Sequence, residues 1–147
     1  MAKSTHAKWE SAPQSHDYPA AAAFLALMGS PALVAALVAH LKDSATVTHA
    51  AKDILRAARL PLLPRDDPSV GKDLKQVAKG RRLSPVLLIR GNLDQAHPLV
   101  IADGYHRVCA AYHLEEDVQV PCRITGLDDL GHPAPKASLT ERRGGAL

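Results

Sequence analysis

Residues 1 to 17 are mostly polar and show no apolar periodicity, so they read as a flexible tail. The pattern then reverses: from Tyr18 to Ala39 there is no Asp, Glu, Lys or Arg. The triplet "GSP" at Gly29 to Pro31 divides this stretch. A serine can cap a helix whose first position is a proline, so two Ala-rich helices are expected, over 18–29 and 31–42. Together they form a helical hairpin within an extension spanning 18–44. In the second helix Leu33, Leu37 and Leu41 recur every fourth position, with Val34 and Val38 beside them. That face packs on the domain that follows or joins a second copy as a homodimer; packing is the commoner use of such a stripe.

From residue 45 the period alternates. "ATVTHAA" suits a short strand and "KDILRAARL" a helix. "PLLPRDDP" holds three prolines in eight residues and must turn or extend. "SVGKDLKQVAKG" returns to helical spacing through Val70, Leu74 and Val77, with Gly80 placed to end it. "VLLIR" is a continuous apolar run of the kind buried on both sides of a sheet. "LVIAD" reads as a strand, "GYHRVCAAYHL" as a helix and "VPCRI" as a last strand. Strands and helices mixed in this way predict an α/β (α+β) domain over 45–126, a small mixed sheet flanked by helices. Apolar periodicity stops near Gly126, so 127–147 reads as a second flexible tail.

Composition refines this outline. The chain has 147 residues, 46% of them hydrophobic and 3% aromatic, so one core built from aliphatic side chains is expected. The net charge of +3 permits nucleic acid or a nucleotide as partner without demanding one. The two cysteines, Cys109 and Cys122, form no Cys-x-x-Cys pair, which fits a reducing cytoplasm. The uncharged stretch is long enough for a bilayer, but its Gly-Ser-Pro break and alanine content favour two short helices and no membrane span.

Candidate chemistry gathers at Asp103-Gly104-Tyr105-His106-Arg107, where a strand becomes a helix. The first turn of a helix carries unpaired N–H groups and the positive end of the dipole, a general anion site. Gly104 permits the sharp turn and close approach of a ligand. Arg107 can offer a two-pronged fork to phosphate, and His106 a further donor. Asp103 could cap the helix, hold a metal ion or orient His106. Equally, Asp-Gly is a common turn, and a histidine and an arginine at a helix start can simply face water.

"LSPVLLIRG", then "PLVIADGYHRVCAA", then "VPCRI" resemble the ParB amino-terminal domain and sulfiredoxin superfamily over about residues 60–125. The order is a strand ending in glycine, a strand-to-helix corner of the type "vvdGhHRl.Aa", and a closing strand. The resemblance implies a ParB/sulfiredoxin-like fold that binds a nucleotide, ATP or CTP, at this corner. Gly104, His106 and Arg107 match the glycine, histidine and arginine of the family's loops, and Asp103 matches the acidic residue of the version found in free-serine kinases. Tyr105 stands where sulfiredoxin has its reactive cysteine, which argues against sulfiredoxin chemistry. The implied ligand set is Gly104, Tyr105, His106 and Arg107. The implied reaction is phosphoryl transfer or phosphoester hydrolysis with Mg²⁺. There His106 and Arg107 stabilise charge, and Asp103 is the base or metal ligand.

Two other groupings compete. His106, Cys109 and His113 share one helix face and could ligate a metal, although a cysteine in "VCAA" more often fills a core. Lys72, Lys75 and Lys79, followed by Arg81, Arg82 and Arg90, form a basic stretch. It would suit a non-catalytic DNA-binding or regulatory module, or only a solvated face. Asp66 and Asp67 are further oxygen donors for Mg²⁺.

Overall fold

The computed structural model describes residues 6–131. Expectations for residues 1–5 and 132–147 lie outside them. Among the described residues the order is β1 (Lys8–Trp9), α1 (Asp17–Leu25), α2 (Pro31–Asp43), β2 (Val47–Ala50), α3 (Ala51–Ala58), α4 (Pro68–Ala78), β3 (Arg82–Leu83), β4 (Val86–Ile89), β5 (Val100–Asp103), α5 (Tyr105–Leu114) and β6 (Gln119–Thr125). The chain is mixed α/β, of the α+β kind. None of these helices is long and apolar enough to cross a membrane.

Four strands form one sheet in the order β2-β6-β4-β5. β4 runs parallel to β6 and antiparallel to β5, while β2 runs antiparallel to β6. β4 is therefore central, which explains its unbroken apolar sequence: all four of its residues are buried. The period-2 alternation of a strand then sorts them into two layers. Val86 and Leu88 join a core with Ile54 of α3, Val70 of α4, Val108 of α5 and Val120 of β6. Leu87 and Ile89 face the hairpin through Tyr18, Leu25, Val34, Leu37 and Leu41. Each fully buried leucine or valine contributes about 1.5–3 kcal/mol of transfer free energy.

The hairpin is thus one outer layer of the domain rather than an extension in front of it, and its apolar stripe is spent on the sheet. Ser30 accepts a hydrogen bond from Leu33 N at 3.2 Å and Pro31 opens α2, as the "GSP" triplet predicts. Arg123 of β6 ties the layer down, donating to the Lys42 carbonyl at 2.7 Å and to the Tyr18 hydroxyl at 3.3 Å.

The flexible-tail expectation for residues 1–17 fails for its described part. Lys8 and Trp9 pair in parallel with Arg82 and Leu83, Glu10 N donates to the Leu83 carbonyl at 2.8 Å, and the Trp9 ring packs on the core. Asp17 is buried at the start of α1. At the other end, Leu127–Asp129 form a 3-10 turn and Leu130 packs beneath the hairpin.

Candidate functional site

β5 ends at Asp103 and α5 begins at Tyr105, so a single residue makes the corner. Gly104 occupies it at φ +111°, and a Cβ there would collide with the Val86 side chain, 2.8 Å from its Cβ. Backbone conformation and packing both demand glycine. No side chain caps α5, so its first N–H groups stay available to an outside acceptor.

Arg107 is not a free fork. One terminal nitrogen donates to the Ser84 carbonyl at 2.7 Å, to the Ser84 hydroxyl and to the Pro85 carbonyl at 3.3 Å. The other donates to Asp103 Oδ2 at 2.5 Å. Asp17 of α1 brings a second carboxylate within 3.9 Å. These side chains are 13% (Arg107), 18% (Asp103) and 6% (Asp17) exposed, so the cluster is largely withdrawn from water. Burial pushes the Asp103 carboxyl above its ordinary value; Arg107 pulls it down and the neighbouring Asp17 charge adds to the rise.

The remaining predicted residues separate. Tyr105 turns away, its hydroxyl donating to the Pro61 carbonyl at 2.5 Å, and so pins the proline-rich loop instead of lining a ligand space. His113 Nε2 lies 2.7 Å from the Leu63 carbonyl, and Cys109 is fully buried with its thiol pushed up by desolvation. Cys109 and His113 are therefore taken up by packing and a backbone contact, while His106 stays exposed and apart from them. Asp67 caps α4, accepting from Ser69 N and Val70 N at 3.1 Å each. Among the described residues no three His, Cys, Asp or Glu side chains converge on a metal position. With Asp103 committed to Arg107, the described residues do not form a Mg²⁺ site of their own.

What the corner does own is a cavity of about 250 Å³ between the first turns of α4 and α5, lined by Ser69, Lys72, Asp73, Asp103, Gly104, His106 and Arg107. The side chains of Ser69, Lys72, Asp73 and His106 make no hydrogen bond or ion pair with any described residue. Burial raises the Asp73 carboxyl above its ordinary value, against the pull of Arg107, His106 and Lys72. Ser69 and Asp73 do not stand out in the sequence. The available signal for Asp73 is its place three residues after buried Val70, at the edge of the apolar face.

Lys72 also borders a second cavity, of about 410 Å³, where Arg65, Lys75 and Lys79 gather with Asp66 and Asp67. The lysine spacing read from the sequence does place these side chains on one wall. A larger cavity of about 580 Å³ lies between the hairpin and the 91–98 turn. Its walls are mainly aliphatic, including Leu25, Leu33, Val34, Leu37 and Ile89, and none of the corner residues reaches it. Comparison with known proteins found no matching family model, no matching curated protein and no matching solved structure.

Proposed function

We propose that the cavity between α4 and α5 binds a phosphate group, carried by a nucleotide or another small ligand. The observation that carries this reading is the set of unpaired polar side chains, Ser69, Lys72 and His106, around the uncapped start of α5. All three side chains are exposed, so their donors are free to turn toward a ligand, and donors that converge on a concavity beside a helix start favour an anion. The resemblance to nucleotide-binding loops at Gly104, His106 and Arg107 points the same way and names ATP or CTP as bearers, with Mg²⁺ arriving on their phosphates. Arg107 acts indirectly, holding Asp103 and the 84–85 segment in place. For the same reason Asp103 serves as a positioning group and not as a free base. Phosphoryl transfer would have to release Asp103 from Arg107.

Calorimetric titration with ATP, CTP, ADP and inorganic phosphate, with and without Mg²⁺, tests this reading. Lys72→Ala and His106→Ala should each weaken binding by about tenfold, the loss of one charge-assisted hydrogen bond. Unchanged affinity in both variants would remove the site. Arg107→Ala is the wrong probe, because it takes the guanidinium away from the largely withdrawn Asp103 and Asp17 carboxylates.

The cluster of Arg65, Lys72, Lys75 and Lys79 supports a second reading, a surface for the DNA backbone. Binding to duplex DNA that weakens steeply with salt would favour it. No gel shift at low salt would dismiss it.

A further inference from the structure

We propose that Asp73 makes the corner cavity selective for phosphate groups that carry an exchangeable proton, inorganic phosphate or a phosphomonoester, against sulfate and phosphodiesters. This rests on the phosphate-binding reading above and adds the chemical class of the ligand. The cavity presents two carboxylates to its contents, and they differ in one respect. Asp103 is neutralised by Arg107 at 2.5 Å, whereas Asp73 makes no hydrogen bond or ion pair among the described residues and feels Arg107, His106 and Lys72 only at longer range. A helix start with a lysine and a histidine would accept any tetrahedral oxyanion. An unpaired carboxylate on the same wall changes that, because it offers an acceptor to an ion that consists of acceptors. The contact becomes favourable only when one proton lies between the two oxygens.

A phosphate with an ionisable O–H supplies that proton and donates it to the Asp73 carboxylate. Its other oxygens accept from Lys72 Nζ, the Ser69 hydroxyl, His106 and the α5 amides. Sulfate has the same shape but no proton near neutral pH, and a phosphodiester has none to give. The cavity, at about 250 Å³, is smaller than pockets that enclose a drug-sized ligand, a size that suits a phosphate group more than the whole molecule that carries it.

The test is calorimetry on the full chain near pH 6, where a phosphomonoester still holds part of its second proton, with inorganic phosphate, sulfate and dimethyl phosphate as probes. The wild type should bind phosphate at least about tenfold more tightly than sulfate or the diester. Asp73→Asn should raise sulfate affinity and reduce the gap to about threefold or less. Asp73→Ser removes the same charge and supplies an independent measurement. Equal affinity of the wild type for phosphate and sulfate, or a gap that persists in both variants, overturns the role of Asp73 and leaves the phosphate site standing. Failure of the wild type to bind any of the three probes overturns both.

Discussion

Gly104 meets two demands at once, a positive φ and the Val86 side chain directly behind it. Gly104→Ala would suffer both the backbone strain and the collision, a cost of about 2–3 kcal/mol. We expect the melting temperature to fall by roughly 6–12 °C for a chain of this size, as calorimetric unfolding would record. Asp73 works in the opposite sense. Its carboxyl is raised above the ordinary 3.8 by burial, so the folded chain disfavours the ionised form. The stability linked to this group is complete below the ordinary value and is lost as pH rises through the raised one. Asp73→Asn should therefore be more stable than the wild type at neutral pH, with the difference shrinking toward pH 3. Urea midpoints across that range measure it. The sequence displays Arg107 as a donor beside a glycine. It carries no sign that Ser84, Pro85 and Asp17, which are 22 to 90 positions away, consume it.

Periodicity read the longer elements well. The helices over 31–42 and 51–59, the apolar run at 86–90 and the strand–corner–helix at 99–114 lie within a residue or two of the observed bounds. Each has a repeating apolar face or a capping residue, and such signals are local. β1 has neither, since two residues cannot display a period. It exists because Trp9 finds the core and β3 supplies a partner. Trp9→Ala should cost about 1–3 kcal/mol through lost burial and lost pairing, seen as a lower urea midpoint. An unchanged midpoint would mean that the amino-terminal strand adds nothing to the fold. The cavity between α4 and α5 was half legible. Its α5 wall follows from a recognisable corner, and its α4 wall depends on how two helices meet.

On the scale of the whole molecule, the sheet separates two helical layers, and the candidate site lies at the end where β5 turns into α5. Cys109 and Cys122 are both inside the core, the latter with its thiol pushed up to about 12, so neither is available to react in the folded chain. An ion pair joins the two helical layers. Arg107 belongs to α5 on one side, and Asp17 belongs to α1 on the other. Any occupant of the neighbouring cavity that draws the guanidinium even slightly toward itself subtracts from what anchors the first turn of α1. The hairpin would then loosen or tighten according to whether that space is filled, and hydrogen exchange at α1 would report occupancy from the far side of the sheet.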